Sequence, residues 1–255
     1  MISPLAYVDP AAKIGKNVTI HPFAYIDKNV EIGDNCVIMP YVSIMGGSRI
    51  GNNNKFYQGA VVGTPPQDFK HKGEDTIVRI GDNNVIRENA VIIRASAPEH
   101  ETVIGNDNFI MQAVRISHDA TIGNRCIIGN ASQVAGRSIV GNCSILASSV
   151  IMTGHIRVGE WSVIQGGCRF SNDVPPYVVV AHEPASFYSI NTKVLQHAGF
   201  SETIIKHIAH AYRIIYHANT SIDDAIYRVE QQIPQGKEIK NIIDFIKETK
   251  VGIIK

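Results

Sequence analysis

The stretch "ISHDATIGNRCIIGN", residues 116–130, places isoleucine at every sixth position, at Ile116, Ile122 and Ile128. The same phase runs from Ile14 to Phe170, and 24 of its 27 positions are apolar. Glycine follows the apolar residue directly at ten of them. A period of six fits neither a helix nor an amphipathic strand. It is typical of a parallel β-helix, in which three six-residue sides form one triangular coil with an apolar residue pointing inward from each side.

The residue two places before each inward position is often small, as at Ala24, Cys36, Cys126 and Cys168. Small side chains suit tight corners, so we expect these three cysteines to fill corners of the prism. The fourth cysteine is Cys143, and no pair has the CxxC spacing. This spacing does not favour a zinc or redox site.

Two segments interrupt the phase. "GTPPQDFKHKGEDT" (63–76) contains Asp68 and Glu74 at inward positions, and "RASAPEHET" (94–102) contains Pro98. Both are polar and rich in turn-forming residues, so they predict loops that leave the prism wall. Loops on a rigid scaffold commonly carry function.

After Phe170 the repeat stops, and "SNDVPPYVVVAHEP" (171–184) is interpreted as an exit segment. Apolar spacing then predicts helices from Ser201 to about His217, after Ser221, and from about Lys237 to Lys250. The fold class is therefore all-β, a parallel β-helix with a small α-helical C-terminal domain. We place the boundary between residues 1–188 and 189–255.

The net charge and the distribution of apolar residues indicate which partners and which cellular location to expect. The formal net charge of +1 gives no general argument for binding nucleic acid. The start "MISPLAYVDP" lacks the features of a signal peptide, and no run of 18 apolar residues predicts a membrane span. The sequence predicts a cytoplasmic protein without stable membrane insertion, and the flat faces of a β-helix favour symmetric assembly.

His118 and Asp119 stand out from the repeat, because their register points His118 outward from the wall. One interpretation is an ordinary surface histidine. The other is a general base whose ring is oriented by the neighbouring carboxylate. No serine or cysteine nucleophile motif accompanies them, so direct transfer to an acceptor hydroxyl is simpler than a covalent intermediate. A metal site is disfavoured, because no other histidine of the repeat region has a spacing that places it beside His118: His21, His71, His100 and His155.

Several further motifs together resemble the UDP-N-acetylglucosamine acyltransferase family over essentially the whole chain. They are "PPQDFKHKGE" (65–74), "NVIRENAVI" (84–92), "ISHDATIGNRC" (116–126), "DVPPYVVVAHEP" (173–184) and "SINTKVLQHAGFS" (189–201). The resemblance implies a left-handed coil, a homotrimer and the first reaction of lipid A biosynthesis. In that reaction a 3-hydroxyacyl chain passes from acyl carrier protein to the 3-hydroxyl of UDP-N-acetylglucosamine, and no cofactor is needed.

The same resemblance implies roles for individual residues. His118 would be the general base, Asp119 its orienting partner, and Gly136 the source of a backbone N–H for the oxyanion. Asp68 and Lys70 would contact the sugar. Asn191 would contact the nucleotide. Gly166 would be the position whose bulk limits the acyl-chain length.

The predicted cleft departs from the family pattern. Four residues stand where the family has histidines: Ile93, Arg115, Arg137 and Thr153. The family has a glutamine where this sequence has Gly154 and an arginine where it has His197, and Gln196 and Ala198 also replace basic residues. Arg115 and Arg137 could supply phosphate contacts, and Thr153 and His197 remain candidate substrate contacts. Three alternatives stay open: an acyltransferase for another nucleotide sugar, a non-catalytic paralogue that binds acyl carrier protein or nucleotide, and a gamma-type carbonic anhydrase.

Overall fold

Each six-residue repeat forms a short strand and a turn, and three repeats complete one coil of the prism. The computed structural model describes residues 1–217 and 220–255. In regular coils a residue pairs in parallel with the residue 18 positions on, so that Ile139 lies between Thr121 and Arg157. The predicted parallel β-helix is therefore confirmed.

The strands build three sheets. Sheet 1 has nine strands: Tyr7–Val8, Tyr25–Ile26, Ser43–Ile44, Val61–Thr64, Val91–Ile93, Arg115–Ile116, Gln133–Val134, Ile151–Met152 and Arg169–Phe170. Sheet 2 has eight: Lys13–Ile14, Glu31–Ile32, Ser48–Ile50, Ile77–Ile80, Glu101–Ile104, Thr121–Ile122, Ile139–Val140 and Arg157–Val158. Sheet 3 has ten: Thr19–Ile20, Val37–Ile38, Lys55–Phe56, Val85–Ile86, Phe109–Ile110, Ile127–Ile128, Ile145–Leu146, Val163–Ile164, Val178–Ala181 and Ser186–Ile190.

The prism core consists of the inward residues of the repeat. Every apolar member of the six-residue series is buried except Ile14, which is partly exposed. Full burial of one such side chain contributes about 1.5–3 kcal/mol. The corner-filling cysteines are buried as expected, and the thiols of Cys36 and Cys126 donate to the carbonyls of Gly51 and Gly141.

The corners have a regular backbone conformation. In nearly every repeat the third residue after the inward one has a positive φ, as at Asn17 (57°), Asp119 (60°) and Arg137 (60°). Asparagine and aspartate tolerate this left-handed region better than most residues. Asp119 and Arg137 therefore occupy equivalent corner positions, one coil apart.

Both predicted loops are present. Residues 65–76, between strands of sheets 1 and 2, contain no strand, and neither do residues 94–100 in the next coil. The two loops leave the prism between the same pair of sheets. That edge is also the one at which His118 lies.

The end of the prism differs from the sequence interpretation. The segment expected as an exit contains the strand Val178–Ala181, which continues sheet 3 parallel to Val163–Ile164. Ser186–Ile190 then returns antiparallel to it. The strand ends two residues beyond the 188/189 boundary placed from the sequence.

Four helices follow in the described part of the chain: α1 (Thr192–His197), α2 (Glu202–His217), α3 (Ile222–Gln232) and α4 (Lys237–Lys247). The last three match the predicted helices, although α4 ends three residues early. The six-residue α1 was not predicted separately. Within residues 1–217 and 220–255, no helix combines the length and apolarity needed to cross a bilayer.

Arg157 joins the prism to the C-terminal helices. Its Nε lies 3.0 Å from Oδ2 of Asp173, and its Nη1 lies 3.1 Å from Oε2 of Glu248. Its Nη2 donates to the carbonyl of Phe245, whose ring lies 4.3 Å from the guanidinium carbon. Asp173 is 2% exposed, and its carboxylate also accepts the Arg157 N–H at 2.8 Å and the Thr249 hydroxyl at 2.9 Å.

We expect Arg157→Met to lower the free energy of unfolding by about 3 kcal/mol, because it leaves a buried carboxylate with fewer partners. This corresponds to a fall in Tm of roughly 6–12 °C in thermal unfolding. Arg213→Met, which removes an exposed arginine of α2, is the control. Equal Tm values for the two variants would contradict the role of Arg157.

Candidate active site

The site lies at the corner between sheets 1 and 2. His118 and Gly136 each come two residues after an inward residue of sheet 1, and 18 residues separate them. The coil period therefore stacks them one above the other, and the N–H of Arg137 donates to the carbonyl of His118 at 3.1 Å. The repeat thus brings together residues that are distant in sequence.

The His118 ring is held by its sequence neighbour. Its Nδ1 lies 2.9 Å from Oδ2 of Asp119, and the side chain is 21% exposed. A carboxylate oxygen accepts hydrogen bonds, which assigns the proton of the neutral ring to Nδ1. Nε2 then carries a lone pair that can accept a proton.

Asp119 is 5% exposed and fully engaged. Its Oδ1 accepts the N–H of Ser96 at 2.8 Å, and its Oδ2 accepts the Ser96 hydroxyl at 2.6 Å. Nε of Arg137 lies 3.3 Å from the same Oδ2. Burial alone would raise the pKa of Asp119, but hydrogen bonds from Ser96 and His118 outweigh it and lower the pKa to about 2.

This lowered pKa predicts a pH-dependent contribution to stability. An aspartate whose pKa falls on folding stabilises the fold above its unfolded pKa, near 4, and loses that contribution as the pH falls towards 2. We expect Asp119→Asn to lower the free energy of unfolding by about 2 kcal/mol at pH 7. Urea unfolding at pH 7, 4 and 3 should show the gap to the unsubstituted protein narrowing as the pH falls.

Asp107→Asn is the control for this measurement, because Asp107 has the same left-handed backbone and an exposed side chain. Its effect should stay within about 0.5 kcal/mol. A gap between the Asp119→Asn variant and the unsubstituted protein that is constant from pH 7 to pH 3 would contradict the prediction.

Gly136 lies against the His118 ring. A β-carbon at this position would lie 2.8 Å from Cε1 and 3.0 Å from Nε2 of His118. Only glycine therefore leaves the ring where it stands. The Gly136 carbonyl accepts the N–H of His155, whereas the Gly136 N–H makes no hydrogen bond to the described residues. Such an N–H can stabilise a developing oxyanion.

The two arginines predicted as phosphate contacts have protein partners. Arg137 pairs with Asp119, as described above. Nη2 of Arg115 donates to Oε1 of Gln67 at 2.8 Å, which joins sheet 1 to the loop at 65–76. Each guanidinium keeps further donors, so a phosphate contact stays a prediction.

The remaining predicted residues are spread around the corner. Asp68 and Lys70 lie in the loop at 65–76, where Oδ1 of Asp68 accepts the N–H of Lys70 at 2.9 Å. Exposed Thr153 lies at the same corner, one coil beyond Gly136. Exposed Gly166 lies on the opposite edge of sheet 1, between sheets 3 and 1. One chain therefore does not bring Gly166 next to His118.

Asn191 and His197 lie near the end of the prism. Asn191 is buried and its Nδ2 donates to the carbonyl of Trp161 at 2.8 Å. His197 is exposed in the last turn of α1, with Nδ1 2.8 Å from the carbonyl of Lys193. Neither residue contacts His118 within the chain.

Sequence reasoning missed Ser96 and Gln67, and it judged from their spacing that His71 and His100 would not lie beside His118, although both approach the groups around Asp119. Nδ1 of His100 lies 3.7 Å from Oδ2 of Asp119, and Nδ1 of His71 lies 3.3 Å from the carbonyl of Ser96. All four lie in the loops that break the repeat, where the six-residue phase assigns no position. Within the described residues, no group of three or more His, Cys, Asp or Glu side chains is arranged to hold a metal ion.

Known proteins match the chain along its whole length. Residues 173–254 match a family model described as "Udp N-acetylglucosamine O-acyltransferase; Domain 2", and residues 29–64 and 101–136 match "Bacterial transferase hexapeptide (six repeats)". An acyl-[acyl-carrier-protein]--UDP-N-acetylglucosamine O-acyltransferase from Sulfurihydrogenibium is 48% identical, over 99% of this chain and 93% of that protein. One of the same name from Thermodesulfovibrio yellowstonii is 37% identical, over 99% and 98%. The chain belongs to the UDP-N-acetylglucosamine O-acyltransferase family.

Solved structures of the family agree with this assignment. The UDP-N-acetylglucosamine acyltransferase from Bacteroides fragilis is 50% identical, covers 100% of both chains and superposes with a TM-score of 0.99. Family members thus confirm the left-handed parallel β-helix with a small helical C-terminal region. The family also favours an acyltransferase over the carbonic anhydrase alternative.

Proposed function

We propose that this protein transfers a 3-hydroxyacyl chain from acyl carrier protein to the 3-hydroxyl of UDP-N-acetylglucosamine, with His118 as general base. The observation that carries the proposal is the His118–Asp119 contact at 2.9 Å, which leaves Nε2 available beside Gly136. The names of the relatives support the donor, the acceptor and the ester product. The proposed setting is the first step of lipid A biosynthesis in the cytoplasm.

In the proposed reaction, Nε2 of His118 takes the proton of the sugar hydroxyl as its oxygen attacks the thioester carbonyl carbon. The charge that develops on the carbonyl oxygen is stabilised by the Gly136 N–H. The intermediate collapses with cleavage of the C–S bond, and the imidazolium returns its proton to the departing thiolate. An ester and the free thiol of the carrier protein result. Asp119 stabilises the imidazolium and keeps the ring oriented.

A homotrimer is part of the proposal. His118 lies on one edge of sheet 1 and Gly166 on the other. A three-fold arrangement of prisms brings unlike edges of neighbouring copies together, so Gly166 of one copy could face His118 of the next. Such an arrangement would explain how one cleft uses both residues.

The test is acyl transfer by the purified protein from a panel of 3-hydroxyacyl carrier proteins to UDP-N-acetylglucosamine. Products are identified by mass spectrometry and treated with mild alkali, which cleaves an ester but leaves an amide intact. An alkali-labile product and one equivalent of free carrier thiol are expected.

Two outcomes would contradict the proposal. An alkali-stable product from a 3-amino sugar nucleotide, with none from UDP-N-acetylglucosamine, would indicate an amine acceptor. No product with any chain length or acceptor, together with measurable binding of acyl carrier protein or nucleotide, would indicate a non-catalytic paralogue.

A further inference from the structure

Ser96 contacts both oxygens of the carboxylate that orients His118. Its N–H donates to Oδ1 of Asp119 at 2.8 Å, and its hydroxyl donates to Oδ2 at 2.6 Å. This two-point contact fixes the rotation of the carboxylate. Because Oδ2 also accepts from His118, the Ser96 hydroxyl determines where the acceptor of the ring proton lies.

Ser96 also contacts the loop that contains Asp68 and Lys70. Nδ1 of His71 lies 3.3 Å from the Ser96 carbonyl and 3.1 Å from Oε2 of Glu74. Both neighbours are acceptors, so Nδ1 carries a proton and donates. The backbone N–H of His71 donates to the carbonyl of Asp68 at 3.0 Å.

The surroundings of Asp119 offer competing partners. Nε of Arg137 lies 3.3 Å from Oδ2, and Nδ1 of His100 lies 3.7 Å from it. The Arg137 and His100 side chains are both more than one-third exposed. Without the Ser96 hydroxyl, Oδ2 would be free to turn towards these groups and away from His118.

We propose that Ser96 is a positioning residue of this site, because its hydroxyl aims Asp119 at His118 while its carbonyl anchors the loop at 65–76 through His71. The inference rests on the proposed acyl transfer for its kinetic consequences. The contacts of Ser96 with Asp119 and His71 lie within one chain and do not depend on that activity. Ser96 itself touches no reacting atom.

The kinetic test distinguishes the contact of the Ser96 hydroxyl with Asp119 from the contact of the Ser96 carbonyl with His71. Ser96→Ala should lower kcat roughly 10- to 100-fold, the effect of losing one hydrogen bond to a charged group, with KM for the sugar nucleotide within about twofold. Ser96→Thr keeps the hydroxyl and should restore most of kcat. His71→Ala should instead raise KM for the sugar nucleotide roughly tenfold and leave kcat nearly unchanged, because it loosens the loop at 65–76, which contains the predicted sugar contacts Asp68 and Lys70.

Ser144→Ala is the matched control. Ser144 is also buried, and its hydroxyl donates to the carbonyl of Gly159 at 2.8 Å on another corner of the prism. It should lose stability comparably to Ser96→Ala and keep kcat. An equal loss of kcat in the two serine-to-alanine variants would reduce Ser96 to a structural residue and overturn the inference.

Crystal structures of Ser96→Ala and Ser96→Thr provide a measurement that needs no activity. We expect the Asp119–His118 contact of 2.9 Å to lengthen in the alanine variant and to persist in the threonine variant. An unmoved carboxylate and ring in the alanine variant would overturn the inference. If the unsubstituted protein transfers no acyl chain, the proposed function fails, and these structures still decide the role of Ser96.

Discussion

Replacement of His118 by alanine is expected to lower kcat for acyl transfer by about 10²–10⁴-fold, the usual contribution of a positioned general base. KM for the sugar nucleotide should change little, because the proton transfer takes place in the transition state. The structural reason is that Nδ1 of His118 donates a hydrogen bond to Asp119 at 2.9 Å, so Nε2 is the ring atom that can accept a proton.

The measurement is steady-state acyl transfer by the main size-exclusion fraction of each protein, with thermal unfolding as a check on the fold. His21→Ala is the matched control, because His21 lies on an N-terminal coil of the same prism, far from the corner. It should retain full activity. A His118→Ala variant with unchanged kcat would contradict the base assignment and leave the surface-histidine interpretation.

The prism could be predicted because its determinants are local and repeated. Each coil needs one apolar residue per side, and this requirement recurs at positions such as Ile116 and Ile122 with a fixed spacing. The expectation that small residues fill the corners, two places before each inward residue, covers only part of what the structure shows. Asn54 and Asn84 occupy the same buried column as Cys36 and Cys126, and Oδ1 of Asn54 accepts the N–H of Asn84 at 2.9 Å. A buried polar residue fits there because the next coil supplies a hydrogen-bond partner.

Part of the candidate site could also be predicted. His118 and Asp119 are adjacent in sequence and stand out from the repeat. Gly136 was predicted only from the family resemblance, and the coil period of 18 residues explains why it lies beside His118. Ser96 and Gln67 could not be placed, because loops have no repeat to fix their path. Their roles depend on hydrogen bonds that form only when the loop at 94–100 folds over Asp119 and the loop at 65–76 meets Arg115.

Arg137 illustrates how the fold changes the interpretation of a charge. The sequence suggested a phosphate contact near the base. In the folded chain its Nε lies 3.3 Å from Oδ2 of Asp119, so it shares the acceptor of the His118 proton. Only the equivalent corner positions of Asp119 and Arg137, one coil apart, bring the two charges together.

Gly136→Ala is expected to lower kcat about 100-fold without unfolding the protein. The new methyl group would lie 2.8 Å from Cε1 and 3.0 Å from Nε2 of His118, too close for the ring to keep its place. A misplacement of about 1 Å in a catalytic group can cost about 10²-fold in rate. Gly136 does not have a positive φ, so the backbone accepts alanine, and the free energy of unfolding should change by no more than about 1 kcal/mol.

Gly46→Ala is the matched control, since Gly46 has the same place after an inward residue of sheet 1 in an earlier coil. A β-carbon there would lie 3.1 Å from the carbonyl of Lys28 and would meet no ring.

A double substitution distinguishes displacement of the His118 ring from local damage to this corner of the prism. If Gly136→Ala acts by moving the ring, it should cause little further loss in a protein that already carries His118→Ala, because neighbouring groups that act as a unit are not additive. Losses that multiply would show instead that Gly136 acts apart from His118, through the oxyanion or the shape of the cleft.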